Sequence, residues 1–226
     1  MTIKSENLLV CSTAGKIYAI SKTDGSQIWK TELKGIHDGV GSLFVHDDKV
    51  YVGMNGYLVA LNLINGTEIW RNSLSGMGYN EVSLAVARAN SEGEGASHGT
   101  QSHIVVVASY GKVYGIKSES GDIVWKNKLK NGGYEMPSLI IDSPDKVLVG
   151  CGKLVYKIDI YDGKTIWQRK ISNCLLGCSH VTMATHQSSL QNAFSYTGFC
   201  NNPIAQHSRK EKEKNKHEIA YGSSIM

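Results

Sequence analysis

The sequence predicts an all-β fold, a β-propeller of four-stranded antiparallel blades, and three observations carry that prediction. One unit recurs four times, as GKIYAISKTDGSQIW, GYLVALNLINGTEIW, GKVYGIKSESGDIVW and KLVYKIDIYDGKTIW. Its tryptophans, Trp29, Trp70, Trp125 and Trp167, each follow a glycine by four residues and are spaced by 41, 55 and 42. A period near forty belongs to stacked or ring-like arrays of one supersecondary unit. Finally, the segments between the turns are β-branched and aromatic runs of strand length.

Within a unit the elements follow in order. In the second copy, KVYVGM and YLVALN flank Asn55-Gly56, the strongest short hairpin signal, because both turn positions take a positive φ. The fourth copy joins KVLVGC to LVYKID through Gly152-Lys153, where glycine first suits a type II′ turn. A second turn follows at Asp24-Gly25, Asn65-Gly66, Ser120-Gly121 and Asp162-Gly163. There an Asx or Ser side chain and a left-handed glycine lead into the tryptophan strand. The fourth strand begins at a constant offset: Leu33 leads to Leu43, Leu74 to Leu84, Leu129 to Leu139 and Ile171 to Val181. SLFV, SLAV and SLII are apolar on both faces, as an innermost strand requires.

The long interval is explained by an insertion over 89–102, ANSEGEGASHGTQS, which reads as a flexible loop between two strands of one blade. The first copy has no inner strand before it, and the last is followed by HVTMA at 180–184 with no blade after it. The expectation is that this C-terminal strand pairs with the N-terminal blade and closes the ring. That closure is expected within one chain, as a monomer, or between two chains as a two-chain ring of eight blades. The propeller is placed at 1–186, and 187–226 is read as a tail, partly helical or disordered.

Composition narrows the class. Hydrophobic residues at 41% over 226 positions suffice for a proper core. No apolar run reaches membrane-spanning length, and MTIKSENLLV lacks the features of a signal peptide, so the expected compartment is cytoplasmic. Five cysteines without regular spacing suit reduced thiols. The basic residues Arg209, Lys210, Lys212, Lys214 and Lys216 alternate with Glu211, Glu213 and Glu218 and have no aromatic neighbours, so no nucleic-acid partner is expected.

The repeated small–x–polar–x–x–x–Gly–x–x–x–Trp pattern resembles the tryptophan-docking motif of the pyrroloquinoline-quinone (PQQ) repeat family, over Leu8 to about Ala184. The resemblance implies a propeller in which Trp29, Trp70, Trp125 and Trp167 staple blades together with Gly25, Gly66, Gly121 and Gly163. The small first position is Ala19, Ala60 and Gly115 but Lys157 in the last copy, where docking is expected to be loosened or exposed. The family holds PQQ-dependent alcohol and sugar dehydrogenases and also quinone-free scaffolds, among them a lipoprotein of outer-membrane protein assembly. Alcohol-oxidising members are similar in having an adjacent cysteine pair and a calcium site; no Cys-Cys pair occurs here.

Other chemistry finds little footing. The Gly-Lys pairs lack the spacing of a phosphate loop, and neither a nucleophile elbow nor a zinc-protease helix motif is present. Cys174, Cys178 and His180 are of zinc-ligand type, but their place in the repeat accounts for them, and no metal site is expected. Cys11 aligns with Val52, Val107 and Val149 and is expected to be a small core residue. The linkers before the inner strands, GIHDGVG, GMGYNEV, NGGYEMP and NCLLGCS, vary most and share one rim with the first hairpin turns. His37, Asp38, Tyr79, Asn80, Glu81, Tyr134 and Glu135 are the candidate binding residues, since they have no strand-building duty. The function expected is a non-catalytic scaffold that binds a protein or small ligand through this loop face, with no cofactor. The alternatives are a PQQ-dependent oxidoreductase of alcohols or sugars, with PQQ and calcium as its cofactors, and a shortened relative without independent function.

Overall fold

The computed structural model describes residues 4–36, 41–78, 81–88, 103–133, 135–171, 173 and 181–186. The chain divides into two units, Met1–Met183 and Ala184–Met226, and every strand among the described residues belongs to the first. The insertion over 89–102 and the tail over 187–226 lie outside the described residues.

Four antiparallel sheets follow one another along the chain. The first blade has β1 (Leu8–Thr13), β2 (Lys16–Ser21) and β3 (Gln27–Glu32). The second has β4 (Ser42–His46), β5 (Lys49–Met54), β6 (Tyr57–Asn62) and β7 (Glu68–Asn72). The third has β8 (Ser83–Arg88), β9 (His103–Ser109), β10 (Lys112–Lys117) and β11 (Ile123–Lys128). The fourth has β12 (Ser138–Ser143), β13 (Lys146–Cys151), β14 (Leu154–Asp159) and β15 (Thr165–Lys170). In each blade only sequence neighbours pair, so every sheet is a meander.

The turns take the forms their residues dictate. Asn55 and Gly56 both have positive φ, 49° and 75°, as a type I′ turn needs. At Gly152-Lys153 the glycine alone does, at 63°, which fits type II′. A feature that no turn residue announces recurs in all four blades: the pairing of the last two strands slips beside Ala19, Ala60, Gly115 and Lys157. This bulge skips the residue before each tryptophan and sets the tryptophan opposite the small position.

The core is laminated between blades. Ile17, Ala19 and Trp29 pack with Val50, Val52 and Leu61; Tyr51, Leu58 and Trp70 pack with Val105, Val107 and Ile116; Val106, Val113 and Trp125 pack with Val147, Val149 and Ile158. Burying one such side chain is worth about 1.5–3 kcal/mol, so these three layers hold the stack together.

Two expectations need correction. The closing strand over 180–184 is not formed among the described residues: 181–184 carry no strand, β1 pairs there only with β2, and the propeller of described blades is not closed. Val181 is instead bound to the fourth blade, where its carbonyl accepts the Ser138 hydroxyl at 2.6 Å and its side chain lies against Gly150. Ser83 makes the equivalent bond to Pro137, so Val181 stands where Pro137 does, two positions from the register that a constant offset assigns. Secondly, Cys11 is only half-buried, whereas Val52, Val107 and Val149 are fully buried. The first blade has no inner strand among the described residues to cover it.

Candidate functional site

Among the described residues, the sequence builds the first three linkers alike at their start. A four-residue turn closes between Leu33 and Ile36, Leu74 and Met77, and Leu129 and Gly132, through backbone bonds of 3.1, 2.9 and 3.2 Å. Side chains from the blade interiors then bind the turn carbonyls. Tyr114 donates to Ser75 O at 3.1 Å and Tyr156 to Lys130 O at 2.8 Å. Lys112 donates to Gly76 O and Arg71 to Lys34 O. Ser109 donates to Glu81 O at 2.8 Å. Cys151 Sγ lies 3.0 Å from Gly132 O and 3.5 Å from Glu135 O. Linkers that have no strand partners thus gain fixed backbone positions from the sheet beside them.

Electrostatics keep two of these anchors, Cys151 and Tyr156, neutral. Burial, reinforced by the Glu135 charge, pushes the Cys151 thiol up to about 12. Burial does the same for Tyr156, with Cys151 adding to it, and this phenol also reaches about 12. At neutral pH both are protonated donors, and a thiol so placed is a poor nucleophile.

Of the seven candidate binding residues, Glu81 and Glu135 lie within the described residues, both half-buried at the ends of linkers just before β8 and β12. Their backbone carbonyls carry the bonds just given. His37, Asp38, Tyr79, Asn80 and Tyr134 lie outside the described residues, as do Cys174, Cys178 and His180. Sequence reasoning passed over the anchors. The available signal was the tyrosine that recurs on the strand after the first turn, at Tyr18, Tyr114 and Tyr156.

The four tryptophans divide into three and one. Trp29, Trp70 and Trp125 are 8%, 9% and 7% exposed. Their indole nitrogens donate to Leu63 O at 2.9 Å, Ser118 O at 2.9 Å and Ile160 O at 2.6 Å, each in the following blade. The rings lie on Gly66, Gly121 and Gly163, where a Cβ would collide with them. Trp167 is 43% exposed on β15, opposite Lys157, and Gly25 has nothing within 4 Å of the place a Cβ would take. On the face away from the linkers, His46, Asp47 and His103 bring three metal-ligating side chains together, a cluster that sequence reasoning missed because the residues lie in two blades.

Repeated antiparallel blades with an indole of one laid on the glycine of the next define a PQQ-type β-propeller. More narrowly, the chain belongs to the family described as outer membrane protein assembly factor BamB, whose model matches residues 2–56 and 54–198. No curated protein matches it. Among solved structures it is similar to the computationally designed Ika8 protein, at 16% identity and a TM-score of 0.54 over 74% of this chain and 47% of that one. Quinohemoprotein alcohol dehydrogenase from Comamonas testosteroni is likewise 16% identical, with a TM-score of 0.54 over 73% of this chain and 33% of that one. BamB from Moraxella catarrhalis is 20% identical, with a TM-score of 0.45 over 75% and 49%. The chain spans half or less of the length of these structures, and the likeness at such identities is one of fold. No helix among the described residues is long and apolar enough to cross a membrane.

Proposed function

We propose that the chain is a non-catalytic propeller scaffold that binds a protein partner through the linker rim. The observation that carries this reading is the anchoring of successive linkers by buried tyrosine, serine and cysteine donors. Linker carbonyls pinned in this way lose little conformational entropy when a partner docks, and pre-organisation of this kind favours recognition. The family description, a factor for assembling other proteins, supports a protein as the class of partner. The neutral state of Cys151 and Tyr156 supports a binding role over acid–base or nucleophilic work. In the same reading Trp29, Trp70 and Trp125 act as interblade staples that keep the rim in register, and Glu81 and Glu135 contribute its charge.

The test is site-specific photocrosslinking in the cells that make the protein. A photoreactive residue at position 81 or 135 is expected to give a discrete protein adduct that is absent when the label sits at Asp122 or Lys164, on the opposite turns. Equal labelling at all four positions would refute rim binding. In parallel, purified protein is mixed with PQQ and calcium and assayed for alcohol- or sugar-dependent dye reduction. Turnover would replace the scaffold with an oxidoreductase.

A further inference from the structure

We infer that His46, Asp47 and His103 form a zinc site joining the second and third blades on the face opposite the linkers. His46 closes the inner strand β4, and Asp47 follows it in the turn to β5 with a φ of 52°. This left-handed backbone brings the carboxylate of one residue back beside the imidazole of the residue before it. His103 opens β9 in the next blade and completes the group.

Distances suit a small divalent cation. Asp47 Oδ2 lies 3.6 Å from His46 Nε2 and 3.4 Å from His103 Nδ1, and all donor atoms fall within 4.8 Å of one another. Around a tetrahedral zinc with bonds of about 2.0–2.2 Å, neighbouring ligand atoms stand about 3.3–3.6 Å apart. Two of the three separations already match, and the remaining one closes by rotation of an imidazole. His103 Nε2 is buried without a hydrogen-bond partner, so no competing bond at that nitrogen holds the ring against such a rotation. The imidazoles are 23% and 14% exposed while Asp47 is 59% exposed, which leaves the solvent side for a water as fourth ligand. Two neutral imidazoles and one carboxylate with an open position are a zinc donor set.

The equivalent turn of the fourth blade shows what an ordinary version contains. There Ser143 bonds Asp145 at 2.7 Å, and Lys146 neutralises that acid. In the second blade Lys49 serves Asp48 in the same way, at 3.3 Å. Asp47 is an additional acid, and the ion-pair partners it has are the two histidines.

The experiment uses the full chain, stripped with a chelator and titrated with cobalt as a spectroscopic stand-in and then with zinc. One equivalent of cobalt is expected to give the intense visible bands of low coordination, and zinc is expected to displace it. Asp47→Asn and His103→Gln should each weaken zinc binding at least about ten-fold in competition with a chromophoric chelator, since each removes one of three protein ligands. A Cys174→Ser, Cys178→Ser double variant should bind as the parent does. Urea midpoints measured in chelator establish that the variants are folded; should His103→Gln fail to fold, the exposed Asp47→Asn decides alone. A pale octahedral cobalt spectrum, unchanged affinity in Asp47→Asn, or loss of binding in the cysteine variant would overturn the assignment.

Discussion

Replacing Trp70 by alanine removes an indole that is 9% exposed, packed near Tyr51 with ring centroids 6.0 Å apart and bonded to the Ser118 carbonyl at 2.9 Å. A large-to-small change of this kind costs about 3–5 kcal/mol, of which the stranded Ser118 carbonyl accounts for about 1 kcal/mol. With a urea dependence of about 2 kcal/mol per molar, the midpoint should fall by roughly 1.5–2.5 M. Trp167 is the internal control. It has the same motif position but is 43% exposed, and its loss should cost under about 1 kcal/mol, in the range of surface changes. Both variants are compared by urea unfolding followed through tryptophan fluorescence and far-ultraviolet dichroism. Equal losses, or an unchanged midpoint for Trp70→Ala, would refute interblade stapling.

Gly121→Ala and Gly25→Ala separate strain from collision. Both glycines have φ near +75°, worth about 1–2 kcal/mol of strain for alanine, but only at Gly121 would the Cβ meet the Trp70 ring, at 2.5 Å, so its thermal midpoint should drop clearly further. Stability should also fall at alkaline pH. Cys151 rises from 9.0 to about 12 on folding, and Tyr51 and Tyr156 rise from 10.0 to about 12. Because the unfolded chain releases these protons first, their stabilisation is complete below pH 9 and is lost towards pH 12. Urea midpoints between pH 7 and 11 test this, and in Cys151→Ala the decline should begin nearer pH 10.

Local chemistry made the blades legible. Asn55-Gly56 announced its hairpin, and the Gly-x-x-x-Trp spacing announced the second turn and the tryptophan strand of each unit. The bulge beside Ala19, Ala60 and Gly115 was not legible, because it arises from seating an indole across two strands, and the small residue alone does not reveal that. The missing closure came from treating a constant offset as a register. Val181 has the hydrophobic character of an inner strand, but a hydrogen bond from Ser138 fixes its actual place. For the site, the position of Glu81 and Glu135 shortly before the inner strands β8 and β12 could be read from the repeat. The Tyr156 and Cys151 anchors could not, since their partners are backbone carbonyls that every residue possesses. His46 and His103 are 57 positions apart in the chain, and only the stacking of neighbouring blades brings them together.

Lys157 bears on polymerisation. A blade that offers an indole on one side and a bare glycine on the other is a head-to-tail coupling, and such heterologous pairing propagates into open filaments unless something stops it. In the first three blades the indole lies opposite alanine or glycine; in the fourth it lies opposite Lys157, whose ammonium is held by Asp142 at 2.7 Å. β15 is exposed along its whole length and carries Gln168, Arg169 and Lys170 beside that tryptophan. A lysine at the small position thus weakens the fourth coupling relative to the other three.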